Sequence, residues 1–357
     1  MSLSNPSQIL LRNCDLLNAN FPLLINMPED GFIDALIALN SETHNAANQP
    51  IKLSCYNTNF ADYQALKNKH GNQIYHKFSC IYQAEIKHDL VIIAFPKSKA
   101  ELNFTLAMIA PTLTSTTKVL IVGEKKGGIQ SVPKLTAALL THCHKVDAAR
   151  HCILFAGIFN GDYCDSAFCI DDWYKNYTFI IDGVELTIAS LPGVFSQEKL
   201  DIGTKLLLKN LPKVMKGEVL DFGCGAGVIS CFIAKRHPEV KLSLLDVSLL
   251  ALTSAEKTLS INNIQANIFP SNSLSEVNKQ YKYIVSNPPF HQGVNTNYQA
   301  TETFLSGISK HIKKTGEITV VANSFLRYQS IMQAHIGNTK VIKKAQGFTI
   351  YHAHKTL

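Results

Sequence analysis

No stretch of the 357 residues approaches the roughly 18 consecutive apolar positions that a membrane-spanning helix needs. The opening Met-Ser-Leu-Ser-Asn-Pro has neither the basic lead nor the apolar core of a secretory signal. Nine cysteines are present without one Cys-x-x-Cys pair, so the thiols read as reduced and buried, in a cytoplasmic protein with no membrane partner. His142-Cys143-His144 looks metal-like only locally: ligands so close in sequence seldom converge on one zinc, and a matching second pair is missing. No metal is expected. A strong overall charge is lacking as well, but the net +7 is unevenly spread. Residues 1–170 hold 14 Lys and Arg against 13 Asp and Glu, whereas residues 171–357 hold 20 against 14. The lysines at 310, 313 and 314 and at 340, 343 and 344 read either as a surface that meets phosphate or as an ordinary solvated face.

Chemistry is concentrated in that basic half. Asp221-Phe-Gly-Cys-Gly-Ala-Gly227 follows the short β-leaning run Glu218-Val-Leu220 and precedes Val228-Ile-Ser-Cys-Phe-Ile-Ala-Lys235, whose apolar spacing fits a buried helix. In such a strand, turn and helix, Gly223, Gly225 and Gly227 let the backbone adopt positive φ and approach a ligand closely, with the helix N-terminus aiming amides at it. The next apolar run, Val240-Lys-Leu-Ser-Leu-Leu245, ends at Asp246, where a carboxylate can accept both hydroxyls of a ribose. A nicotinamide cofactor would use the same ribose contact, but its turn has the spacing G-x-G-x-x-G, not the G-x-G-x-G found here. S-adenosyl-L-methionine therefore ranks first as cofactor. Cys224 reads as a small filler.

Asn287-Pro-Pro-Phe290 follows Tyr281-Lys-Tyr-Ile-Val-Ser286 and so belongs at the carboxyl edge of another parallel strand, beside the first crevice. Two prolines make a stiff corner, which can hold the Asn287 side chain and the Pro288 carbonyl as paired acceptors at a set distance. Paired acceptors suit an NH₂ group. An exocyclic amine is a poor nucleophile because its lone pair is delocalised into the ring. Hydrogen bonds to both N–H groups favour a pyramidal nitrogen aimed at a methyl sulfonium, so positioning and electrostatics supply the catalysis. Asn287, Pro288, Pro289 and Phe290 are the candidate catalytic residues, with Phe290 stacking on the target base. Asn-Pro-Pro is also an ordinary turn, and Phe290 an ordinary core residue. Asp221, Gly223, Gly225, Gly227 and Asp246 are the candidate cofactor-binding residues. Thr204, opening an apolar helix in Asp201-Ile-Gly-Thr204, is added either as a hydroxyl for the cofactor carboxylate or as a helix cap. Asn272, with Ser273, falls where adenine-edge contacts belong, or in a plain turn. His291 is read as either a substrate contact or a surface loop residue.

Strand signals near 217–222, 240–246, 265–270, 281–286, 316–322 and 348–353 alternate with helices, as in a doubly wound sheet. Thr178 to Leu191, turning at Asp182-Gly183, reads as an introductory β-hairpin. The first half is a faded copy of the second. With an offset of 193, His88-Asp-Leu-Val-Ile-Ile-Ala-Phe-Pro-Lys97 lies over Tyr281 to Phe290 and sets Ala94 where Asn287 stands. Lys118 to Glu124 similarly echoes Glu317 to Asn323, and no glycine-rich turn follows any early strand. The expected fold class is α/β, with two tandem Rossmann-like methyltransferase domains from a duplication. Residues 1–172 form the degenerate docking or stabilising copy, and 173–357 the catalytic one.

At these residues the chain resembles the bacterial 16S ribosomal RNA guanine-N2 methyltransferases of the small-subunit methyltransferase C type. The likeness spans nearly the whole chain, through Phe95-Pro-Lys-Ser-Lys99, Val122-Gly-Glu-Lys-Lys126, Leu191-Pro-Gly-Val-Phe-Ser196, Asp221 to Ser230, Leu245-Asp-Val-Ser248 and Ser286 to His291. The glycine turn and Asn-Pro-Pro-Phe are shared by many amino methyltransferases, whereas Leu-Pro-Gly-Val-Phe-Ser and the degenerate first copy narrow the match. The segment Gln197 to Asp201 departs from that pattern, with Lys199 where relatives tend to have glycine. The resemblance implies a guanine amine held by Asn287 to Phe290, in the 16S rRNA of the 30S subunit as an assembled particle; a monomer is expected. Residue chemistry alone leaves adenine N6 and a protein glutamine open as targets, and a non-catalytic ribosome assembly factor as a different class of protein.

Overall fold

The computed structural model of the protein describes residues 3–44, 52–163, 168–288, 302–326 and 328–356. The chain divides into two compact units, Met1–Trp173 and Tyr174–Leu357. In the first, β1 (Pro22–Ile25), β2 (Ser54–Tyr56), β3 (Tyr75–Lys77), β4 (Leu90–Ala94), β5 (Lys118–Glu124), β6 (Leu140–Ala149) and β7 (Cys152–Phe159) form one sheet in the order 3-2-1-4-5-7-6. A hairpin of β8 (Lys175–Ile181) and β9 (Val184–Ser190) begins the second unit. Its sheet comprises β10 (Gly217–Phe222), β11 (Val240–Asp246), β12 (Asn267–Pro270), β13 (Tyr281–Ser286), β14 (Ile312–Asn323), β15 (Thr339–Ala345) and β16 (Phe348–His354), in the order 12-11-10-13-14-16-15. Renumbered from its own first strand, the second order is the first repeated.

Register carries the duplication to single residues. Ile25 pairs with Ile93 as Phe222 pairs with Ser286, so Ala94 does occupy the place of Asn287. Ile25 pairs with Tyr56 as Phe222 pairs with Leu245, which puts Asn57 at the place of Asp246. The first unit's turn after β1 begins at Asn26, with φ of 53°, and ends at Gly31, with φ of 90°, but carries Met27-Pro-Glu-Asp30 between them. There the Glu29 carboxylate, almost wholly buried, binds His70 Nε2 at 2.8 Å and Lys69 Nζ at 2.6 Å. An acidic side chain thus fills a turn that the other copy keeps bare.

Parallel strands covered on both faces are near-continuously apolar, which explains runs such as Leu-Val-Ile-Ile in β4 and Leu-Ser-Leu-Leu in β11. The second core gathers Leu220, Ile284, Ile318 and Val320 with Phe304, Tyr328 and Met332. The hairpin turns through Asp182 and Gly183, both at positive φ (48° and 78°), as a two-residue turn of primed type requires. It is tied to the helix Leu249–Ile261 by Ala189 N to Thr258 Oγ1 (3.0 Å), Leu191 N to Ser254 Oγ (2.9 Å) and Asn262 Nδ2 to Thr187 O (2.7 Å). In this second sheet one strand escapes the sequence reading. Thr339-Lys-Val-Ile-Lys-Lys-Ala345 is edge strand β15, antiparallel to β16, and its outward lysines blunt an edge that would otherwise pair with another chain. Of the other basic group, Lys313 is committed to Glu218 at 2.8 Å.

Candidate active site

The two motif strands are neighbours. β10 and β13 pair in parallel up to Phe222 and Ser286, and the Ser286 hydroxyl donates to the Phe222 carbonyl at 2.8 Å. Behind them Phe222 stacks on Phe304 at 3.7 Å. The glycine turn and Asn287 therefore leave the sheet side by side at its carboxyl edge, where ligands bind in open α/β sheets.

Gly223, Gly225 and Gly227 have φ of 71°, 52° and 79°, which only glycine adopts without strain. The amides of Gly223 and Cys224 donate to Leu245 O at 2.9 and 3.0 Å, clamping the turn against β11. A Cβ placed on Gly223 or Gly225 would meet nothing within 4 Å, so that side of the turn is open to a ligand. Gly227 differs. A Cβ there would lie 3.2 Å from the Ala255 Cβ and 3.3 Å from its Cα, so this glycine permits close helix packing. Gly227→Ala is expected to cost about 1–3 kcal/mol in urea unfolding. Gly217→Ala, also at positive φ (96°) but with nothing within 4 Å, serves as the strain-only control and should cost less.

Asp221 is fully buried; its Oδ2 accepts Ser230 Oγ at 2.7 Å and Ser230 N at 3.2 Å, while Oδ1 has no partner among the described residues. Burial pushes its carboxyl up to about 7, against the Ser230 hydrogen bonds and with the Asp246 charge adding to the rise. An unpartnered acceptor sunk beside an open glycine turn fits a cofactor that brings a cationic donor, as the amino group of S-adenosylmethionine does. The raised value also has a thermodynamic consequence. The folded state holds this proton to higher pH than the unfolded state, so the group's contribution to stability is full below about 4 and is lost as pH rises through 7. The fall in urea midpoint between pH 5 and pH 8 should shrink in Asp221→Asn; an unchanged fall would assign it to other groups.

Asp246 is partly exposed. Its Oδ2 accepts Gly225 N at 3.0 Å and its Oδ1 accepts Ser248 N at 2.9 Å, which fixes the carboxylate plane and leaves a lone pair on each oxygen. Burial raises its pKa despite these bonds. Asn272 is an exposed turn residue whose backbone N–H donates to Ser275 Oγ at 3.3 Å. In the neighbouring Ser273, at φ of 53°, the hydroxyl oxygen is buried without a partner among the described residues. The Cys224 thiol is buried and its pKa is pushed well up, so it is inert.

Of the two roles the sequence offered Thr204, the helix cap falls instead to Asp201, and the structure adds another. The helix Ile202–Leu208 is capped by Asp201, whose Oδ2 accepts Thr204 N at 2.8 Å. The Thr204 hydroxyl instead accepts the Asn287 side-chain amide, with Nδ2 to Oγ1 at 2.8 Å. The same Nδ2 lies 3.2 Å from Asp201 Oδ2. Asp201 was missed as a site residue because it lies 86 positions from Asn287, and only the fold brings it there. Pro288 is buried; Pro289, Phe290 and His291 lie outside the described residues.

A doubly wound sheet, an open glycine turn, an acidic strand end and a neighbouring Asn-Pro corner together define a methyltransferase of the Rossmann-like class. Family models agree over both units: the methyltransferase small domain matches residues 185–352 and the methyltransferase small domain N-terminal matches residues 7–177. The chain belongs to the ribosomal RNA small subunit methyltransferase C family. It is 61% identical to the member from Colwellia psychrerythraea, over 99% of this chain and 98% of the relative. With the member from Psychromonas ingrahamii it shares 39% identity over 97% and 96% of the two chains. The structure of the Thermus thermophilus 16S rRNA N2 G1207 methyltransferase, in complex with AdoMet and guanosine, superposes with a TM-score of 0.78. At 22% identity it covers 96% of this chain and 91% of its own, a likeness of fold.

Proposed function

We propose that this chain transfers a methyl group from S-adenosyl-L-methionine to the exocyclic N2 amine of a guanine in 16S rRNA, acting on the small ribosomal subunit in the cytoplasm as a monomer. The observation that carries this reading is the Asn287 amide, held with its nitrogen turned to Thr204 and Asp201 and placed on the strand beside the glycine turn. Its oxygen is the end left to accept an amine proton, and the Pro288 carbonyl is the second acceptor. Asp221, Gly223, Gly225, Gly227, Asp246 and Asn272 would hold the cofactor, which supplies an electrophilic methyl group. Asp246 suits the ribose hydroxyls, and the open faces of Gly223 and Gly225 admit close backbone approach. Pro289 and Phe290, the remaining candidate catalytic residues, lie outside the described residues. No strong general base is needed, because the amine proton becomes acidic once the methyl has transferred.

Guanine N2 lies on the pairing edge, so the nucleotide must enter unpaired or flipped. The first unit lacks both the bare glycine turn and the acceptor asparagine, and serves docking or stability of the catalytic unit. Incubation with labelled methyl donor and either small subunits, free rRNA or DNA tests the assignment. Label in small subunits or their RNA is expected. Label only in DNA would overturn the substrate, and no transfer to any of them would favour a non-catalytic assembly role.

A further inference from the structure

We infer that Asp201 and Thr204 are positioning residues that lock the orientation of the Asn287 amide, so that the acceptor site selects an N–H donor and rejects a carbonyl. The inference rests on the reading of Asn287 given above and deepens it.

A primary amide has two nearly isosteric ends, one a double acceptor and the other a double donor. Nothing within Asn287 decides which end faces the substrate. A carboxylate only accepts, so the amide end 3.2 Å from Asp201 Oδ2 has to be nitrogen. The Thr204 hydroxyl reinforces that choice: its own proton is directed to Asp201 Oδ2 at 3.4 Å, which leaves its lone pairs to face Asn287 Nδ2 at 2.8 Å. Asp201 thereby gathers three donors, Thr204 N, Thr204 Oγ1 and Asn287 Nδ2, on one oxygen. Thr204 is only 6% exposed and Asn287 is half-buried, so water competes poorly for these bonds. With both N–H groups committed, Oδ1 alone remains for the pocket. A flipped amide would set oxygen against a carboxylate and a donor against the incoming amine.

The geometry is testable by exchanging donor and acceptor. Asn287→Asp puts carboxylate against carboxylate and should abolish most methyl transfer to small subunits. Asp201→Asn combined with Asn287→Asp restores one donor and one acceptor, and should recover at least about tenfold over Asn287→Asp alone. Thr204→Val, which keeps shape and removes the acceptor, should lower kcat about tenfold at saturating methyl donor. The Kd for that donor should stay within about twofold, and Thr204→Ser should keep near full activity. Weakened donor binding with kcat preserved in Thr204→Val would assign the hydroxyl to the cofactor and overturn the inference. So would a double variant no better than Asn287→Asp. Full activity in Thr204→Val alongside an inactive Asn287→Ala would sink the lock alone; full activity in Asn287→Ala would sink the proposed acceptor site itself.

Discussion

Replacing Asn287 by alanine is expected to lower kcat for methyl transfer on the order of 10²–10³-fold, with binding of the methyl donor changed little. The size follows from what is lost. The amide oxygen is an acceptor fixed before the substrate arrives, because Thr204 Oγ1 and Asp201 Oδ2 hold the nitrogen end at 2.8 and 3.2 Å. In the proposed reaction its interaction would strengthen as positive charge develops on the methylated nitrogen, so the loss should fall on the transition state more than on ground-state binding. The truncation also leaves Asp201 with one donor fewer in a half-buried site, but its bond to Thr204 N preserves the helix cap. Folding should therefore be little affected. Single-turnover kinetics on small subunits, with separately measured donor affinity, check the split. A raised donor Kd with unchanged kcat would move Asn287 out of the acceptor site.

Asp246→Ala carries the second large effect, and it should fall on the other side of that split. Both carboxylate oxygens are already oriented by backbone amides, Oδ1 by Ser248 N at 2.9 Å and Oδ2 by Gly225 N at 3.0 Å, so they present lone pairs in a fixed plane. Two hydroxyl hydrogen bonds to a charged acceptor are worth roughly 1.5–3 kcal/mol each, and their loss weakens donor binding about 100-fold or more. Alanine also frees the Gly225 amide and loosens the turn whose open face would admit the ligand. At saturating donor kcat should stay within several-fold of the parent, because in the proposed site Asp246 would touch neither the amine nor its acceptors. Calorimetric titration with the methyl donor provides the measurement.

Much of this was legible in the sequence, and for identifiable reasons. Strands β10, β11 and β13 fall at the residues expected because each ends in a motif whose chemistry marks the sheet edge: Asp221 with its glycines, Asp246, and Asn287. The duplication was legible through apolar runs, and the matched registers of Ile93 with Ser286 and of Ile121 with Val320 agree with it. What escaped was non-local or disguised. Strand β15 hid behind lysines that an edge strand uses for protection. The Asp201 contact joins a helix start to a strand end far away in sequence, and no pattern of spacing encodes it. Thr204 stood out as a hydroxyl at a helix start, for the cofactor or for capping, but the cap is Asp201 and the hydroxyl's nearest polar partner is the Asn287 side chain, which only the folded chain supplies.

The most direct measurement is the identity of the methylated nucleoside. Small subunits from cells lacking this enzyme are incubated with the protein and labelled methyl donor, and their RNA is digested and separated. The label is expected in N2-methylguanosine, at one site, with the parent protein and to be nearly absent with Asn287→Ala. Label in N6-methyladenosine, or in N2-methylguanosine equally with both proteins, would contradict an amine held by Asn287 beside the glycine turn.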